Sequence, residues 1–137
     1  MAQLLSPNFS FLKLMSTGLK YLFSKEHTWA AQSEDGSWLV GVSDYAQNML
    51  GDVVFIDPPK VGQAVSQFEV CGLIESVKTG SDIYAPLTGV VQAINEDALA
   101  SPEKVNDHPY TTWLFKLEPS ADGAEVLLDQ ATYEAQV

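Results

Sequence analysis

The sequence predicts a mainly β domain, a small barrel or sandwich with a few short helices. Three observations carry this expectation. A chain of 137 residues suffices for one domain and leaves no room for a second core of useful size. Its composition, 46% hydrophobic and 18% charged, is neither that of a disordered chain nor that of a fibre. Short apolar runs recur along it, spaced by turn residues.

The elements follow in order. Residues 1–19, MAQLLSPNFSFLKLMSTGL, contain no acid and show no clean period. Pro7, Asn8 and Lys13 interrupt their apolar stretch, and no basic start precedes it, so they make a poor secretory signal; without arginine they also make a poor transit sequence. They read as a loosely ordered arm with no legible role, ahead of a domain spanning 20–137. Glu34-Asp35-Gly36-Ser37 lies between Trp29 and the run Trp38–Val42, a hairpin signal. Ser43 can cap a helix that runs through Leu50, with Asp44 in its first turn and Gly51 as its stop. Val53–Ile56 is a short strand closed by Asp57-Pro58-Pro59. Phe68–Glu75 and Ser81–Ala85 are strands on either side of Lys78-Thr79-Gly80, and Gly89–Ile94 is another. Ser101-Pro102 sets a cap residue before a proline at a first helical position. In Trp113–Leu117, Trp113, Phe115 and Leu117 alternate against polar Lys116 and Glu118, the period of a half-buried strand. Leu127–Ala135 reads as a terminal helix.

Charge and chemistry narrow the function. Seven lysines, no arginine and eighteen acids give a net charge of −11, which argues against nucleic acid and against an anionic membrane surface as partners. No apolar run approaches the ~18 residues of a membrane span, and a cytoplasmic location is expected. Residues 1–68 carry six acids and four lysines, whereas residues 69–137 carry twelve acids and three lysines. Such a field speeds encounter with a basic partner and fades with salt. Only His27 and His108 could serve a nucleophile, and neither is coupled locally to the single cysteine, Cys71. Cys71 lies in an apolar strand run and is expected to be an inert buried thiol. No pair of histidines or carboxylates has metal-ligand spacing. The chain is therefore expected not to be an enzyme and to bind no metal.

Lys78 is the informative residue. It stands between two strands in Glu75-Ser76-Val77-Lys78-Thr79-Gly80-Ser81-Asp82-Ile83-Tyr84-Ala85-Pro86. A lysine at a hairpin tip is ordinarily a solvated turn residue, but a rigid scaffold can also present a single amine there for covalent attachment. Glu75 and Asp82 would help a modifying enzyme tell this lysine from the other six.

This segment resembles the lipoylation site of the glycine cleavage H proteins. Gly62 and Gly89 fit the spacing of lipoyl and biotinyl hairpins. Further pieces agree: Ser24-Lys25-Glu26-His27 with Trp29, Asp44-Tyr45-Ala46-Gln47, Leu50-Gly51-Asp52-Val53-Val54-Phe55, Ser101-Pro102-Glu103 with Asn106, and Pro109-Tyr110. The resemblance covers about residues 20–137 and implies a flattened barrel of two antiparallel sheets. It also implies lipoic acid, as lipoamide, on Lys78, joined by a lipoate ligase or lipoyl transferase. The arm would shuttle an aminomethyl group and reducing equivalents among glycine decarboxylase, aminomethyltransferase and dihydrolipoamide dehydrogenase.

Departures from the family pattern are equally specific. Thr28 replaces the acid that in the family follows His27 and helps hold the loaded arm in a surface cleft, while Asp82, a second acid near the arm, is retained. Phe68 stands where a glycine is common. The loss at Thr28 opens an alternative, a related lipoate-binding protein that carries sulfur for a heterodisulfide-reductase-like complex and sulfurtransferases.

Overall fold

The structure, a computed structural model, describes residues 18–137. Among these residues, nine antiparallel strands form two sheets. The larger has six strands in the order β1-β2-β3-β9-β8-β5: β1 Tyr21–Phe23, β2 Thr28–Gln32, β3 Trp38–Val42, β9 Phe115–Pro119, β8 Gly89–Ile94 and β5 Ala64–Val65. The smaller has β4 Val53–Asp57, β6 Val70–Ser76 and β7 Gly80–Tyr84, with β6 in the middle. Among the described residues there are also four short α-helices, α1 Asp44–Leu50, α2 Glu96–Ala100, α3 Lys104–Asp107 and α4 Gln130–Glu134, and a 3-10 turn over Ala124–Val126. This is the expected pair of antiparallel sheets with few helices. The arm expected over residues 1–19 lies outside the described residues except for Gly18 and Leu19.

Alternation along the strands builds the core. Val40, Val42, Val91, Phe115 and Leu117 of the larger sheet bury against Ile56, Ile74 and Ile83 of the smaller one. A second, aromatic cluster lies beside it: Tyr21, Phe23, Trp29, Tyr110 and Tyr133. Phe23 stacks on Tyr133 at 4.5 Å between ring centroids, and Tyr21 meets Trp29 edge-on at 4.9 Å. Each polar tip finds a partner: Tyr21 donates to the Tyr110 carbonyl, and Trp29 Nε1 donates to the Pro109 carbonyl at 3.0 Å. Gly41 is required here, because a Cβ at that position would sit 2.4 Å from the Trp29 ring.

The hairpin at 34–37 and helix α1 form as the sequence predicts. Ser43 caps α1 by accepting from the Ala46 amide at 3.1 Å. Gly51 ends it at φ +81°, the left-handed region that glycine enters without strain. Other boundaries differ, for local reasons. The terminal helix covers only Gln130–Glu134, because Leu128 forms a bridge with Phe23, exchanging both backbone hydrogen bonds at 2.8 Å. Asp129 then caps the helix by accepting from the Thr132 amide. Ser101 closes α2 rather than opening a helix; its amide donates to the Asp97 carbonyl, and α3 starts at Lys104. Strand β9 begins at Phe115, and fully buried Leu114 breaks the expected alternation by donating to the Val40 carbonyl from just outside the strand.

Strand β6 starts at Val70, not Phe68. Phe68 adopts φ +68°, a left-handed conformation costly for a bulky side chain and one that the glycine expected here from the resemblance would enter without strain.

Candidate functional site

Lys78 occupies the tip of the β6–β7 connection, exposed, and that connection is built to hold it. Glu75 pairs with Gly80 across the sheet, and Ser76-Val77-Lys78-Thr79 makes the turn. The Ser76 amide donates to the Thr79 carbonyl at 2.7 Å. The Ser76 hydroxyl accepts from the amides of Lys78 at 3.3 Å and Thr79 at 3.1 Å, a hydroxyl staple across the turn. The Val77 amide donates to the Asp52 carbonyl at 3.0 Å, tying the tip to the loop between α1 and β4.

Asn106 locks that loop. Its Oδ1 accepts from the Val53 amide at 2.9 Å, and its Nδ2 donates to the Gly51 carbonyl at 2.8 Å and to Gln47 Oε1 at 3.0 Å. The Lys78 stem lies across Gly51, where a Cβ would come within 3.4 Å of Lys78 Cε. Gly51 thus both ends α1 and leaves room for the lysine stem. The sequence marks Gly51 as the stop of α1 but not as the room for the lysine stem, and it assigns no task to Ser76 or Asn106. Of those two only Ser76 has a local signal, a hydroxyl two residues before the turn lysine.

A cleft of about 360 Å³ opens between α1 and β7, the edge strand of the smaller sheet, beside the turn. Val42, Ala46, Met49, Leu50 and Ile74 supply an apolar lining, and Thr79, Gly80 and Ser81 form the wall leading from Lys78. His27, Thr28 and Asp82, three residues singled out from the sequence, meet at this cleft; Glu75 does not, and stays exposed beside the turn. Glu26, given no role by sequence reading, lines the cleft as well.

Thr28 is 1% exposed, and its hydroxyl pairs with Ser24 Oγ at 2.7 Å. The carboxylates facing the cleft are therefore Glu26 and Asp82, and the hydroxyl at position 28 is satisfied within the protein.

His27 is anchored in the cleft wall. Its ring packs against Tyr45 at 4.7 Å between centroids, and Nδ1 lies 2.7 Å from the Tyr133 hydroxyl. The Tyr133 hydroxyl is also 2.7 Å from Ser43 Oγ, which accepts from the Ala46 amide. A direction that satisfies the whole chain has the Ala46 amide donate to Ser43, Ser43 to Tyr133, and Tyr133 to Nδ1 of a neutral imidazole. Burial works to the same end, holding His27 below its ordinary value, with Glu26 opposing. Burial also pushes the Tyr133 hydroxyl up to about 12.

Cys71, in β6 and partly buried against the core, is pushed up to about 12 by burial, the protonated and unreactive thiol expected of it. Among the described residues, no group of three or more His, Cys, Asp or Glu could hold a metal ion. No helix among them is long and apolar enough to cross a membrane.

Comparison with known proteins agrees with this arrangement. The family model described as glycine cleavage H-protein matches residues 20–137. The glycine cleavage system H protein of Methylobacillus flagellatus is 48% identical over 113 residues, covering 82% of this chain and 91% of that protein. That of Nitrosomonas eutropha is 48% identical over 122 residues, covering 88% and 94%. The crystal structure of a glycine cleavage system H protein from Mycobacterium marinum superposes with a TM-score of 0.78 at 36% identity, covering 85% of this chain and 95% of that one. The sulfur-carrying alternative finds no support among these relatives.

Proposed function

The chain belongs to the glycine cleavage H-protein family, and from that premise we propose that Lys78 is where it carries lipoate. The protein is a lipoyl carrier and a component of the glycine cleavage system. The observation that carries the assignment is one amine presented at a stapled turn, beside an apolar cleft that a hydrocarbon arm fits.

When attached, the lipoyl group would supply a cyclic disulfide that accepts the aminomethyl carbon on one sulfur as the S–S bond breaks and leaves the other sulfur a thiol; once the cargo has departed, the dithiol would be reoxidised by thiol–disulfide exchange. The remaining tasks belong to the protein. Ser76 and Asn106 fix the base of the arm, so that tethering raises its effective concentration at each partner active site. Val42, Met49 and Ile74 offer the arm an apolar resting surface. Glu26 and Asp82 line the cleft and would meet the ammonium of a loaded arm resting there, which would leave water at low cost only opposite a carboxylate. This pair compensates for Thr28, on which the sulfur-carrying alternative rested. The His27–Tyr133–Ser43 hydrogen bonds tie the cleft wall together, and burial disfavours the charged imidazole that would compete there as a cation.

The partners are a lipoate ligase or lipoyl transferase for attachment, then glycine decarboxylase, aminomethyltransferase and dihydrolipoamide dehydrogenase, in the cytoplasm. The chain acts as their shared substrate and is not itself an enzyme. The test is reconstitution: the lipoylated protein supports glycine-dependent release of carbon dioxide by glycine decarboxylase. A lipoylated protein that leaves that reaction at its carrier-free rate would overturn the reading.

A further inference from the structure

The outward side of the smaller sheet carries an apolar patch that the core does not use. Strands β4 and β6 pair Val53 with Ser76 and Phe55 with Glu75, so Val54 is an extra residue, a β-bulge. In consequence Val54 and Phe55, consecutive in sequence, are both turned to solvent, 53% and 48% exposed, where a regular strand would bury one of them. Val77, next to Lys78, is 71% exposed. Its amide bond to the Asp52 carbonyl puts the turn against the start of β4. Exposed acids frame these three side chains: Asp52, Asp57 and Glu75. Single exposed apolar residues are ordinary, but a cluster made by a bulge beside a functional lysine is not.

We propose that Val54, Phe55 and Val77 form the docking surface for the enzyme that attaches lipoate, and that this enzyme meets them with an apolar centre ringed by basic side chains. The proposal rests on Lys78 being the lipoylated residue. Reach distinguishes this partner from the later ones. Attachment joins the carboxyl carbon of an activated lipoyl group to Nζ, while the amine gives up a proton and the leaving group departs with its electron pair. For that, the attaching enzyme must bring its catalytic groups to an amine on a four-carbon stem, and so it covers the neighbours of the turn. Later partners engage a disulfide a whole lipoyl chain farther out and can leave the turn uncovered. The acid frame supplies the complementary charge, favouring encounter with a basic rim.

The test compares the wild type with a Val54→Thr/Phe55→Thr double variant, which places a β-branched strand former at both positions and removes apolar area. Both are lipoylated by a lipoate ligase with ATP and free lipoate, and the reaction is followed by intact mass. The variant is expected to fold with an unchanged melting temperature and to lose about tenfold or more in kcat/KM for lipoylation, as interface anchors do. Driven to full lipoylation, it is expected to be reduced by dihydrolipoamide dehydrogenase within about twofold of wild type, because that reaction lies beyond the patch. Unchanged lipoylation of the variant overturns the proposal. An equal loss in both assays overturns the assignment to the attaching enzyme. A concentration-dependent wild-type dimer that the variant abolishes assigns the patch to self-association, also against the proposal. Failure of the wild type itself to gain lipoate on Lys78 refutes the underlying reading instead, so the two failures are distinguishable.

Discussion

Asn106→Ala removes the residue that joins α1, β4 and the lysine turn, and its cost can be worked from the bonds it makes. Three hydrogen bonds disappear, to the Val53 amide, the Gly51 carbonyl and Gln47 Oε1. Val53 is 3% exposed and Gln47 8%, so water reaches neither easily. At about 1 kcal/mol for each bond, with orphaned buried groups at the upper end, the loss is about 3 kcal/mol. For a domain of this size that corresponds to about 10 °C in melting temperature, read by calorimetry or circular dichroism. Gln92→Ala is the control: its exposed bond to Glu118 should be worth under about 0.5 kcal/mol. Asn106→Ala should also slow lipoylation, because the freed loop no longer holds Val77 through Asp52. A melting temperature within about 2 °C of wild type would refute the reasoning, since three buried bonds cannot be lost so cheaply.

Three further predictions follow from the cleft and the charge. His27 is held below its ordinary value in the folded protein, so the unfolded chain takes up that proton first; its contribution to stability is present above the ordinary value and lost as pH falls through the interval below it. Melting measured at about pH 7.5 and pH 5.5 should therefore show a larger drop for wild type than for His27→Gln, and equal drops would remove His27 from the account. At the cleft, Glu26→Gln should shorten the lifetime of the aminomethyl cargo at neutral pH about two- to fivefold, the worth of a partly exposed charge pair. Thr28→Glu should instead destabilise the fold by about 2 kcal/mol or more by placing a carboxylate in a buried hydroxyl site. A Thr28→Glu protein of wild-type stability whose cargo lives longer would contradict both statements. Finally, affinity for the partner enzymes should weaken between low and physiological salt, because the half of the chain bearing Lys78 holds twelve acids against three lysines; a flat titration would exclude steering.

What the sequence made legible was local. The hairpin at 34–37, the Ser43-to-Gly51 helix and the lysine between two strands each rest on turn or cap chemistry within a few residues. Strands β1 and β5, of three and two residues, have no pattern of their own and exist because β2 and β8 pair with them. Leu128 is extended, not helical, because Phe23, over a hundred residues away, claims its backbone. The site divides in the same way. Lys78 and its flanking acids could be read from one stretch of chain, whereas Asn106 acts on Val53 across 53 positions. Glu26 gains its role only once the fold closes the cleft against β7. Thr28 looked like a missing acid in the sequence; its burial against Ser24 shows why a hydroxyl suits that position.

The central claim is that one lysine, at one stapled turn, carries the arm. Peptide mapping of the protein made in a lipoylating host, beside Lys78→Arg, tests it most directly. The account predicts one lipoyl group per chain, all of it on the peptide containing Lys78, and no lipoyl group on Lys78→Arg, whose melting temperature should be unchanged because an exposed turn side chain contributes little packing. A lipoyl group on any other lysine, or one that persists in Lys78→Arg, would contradict it.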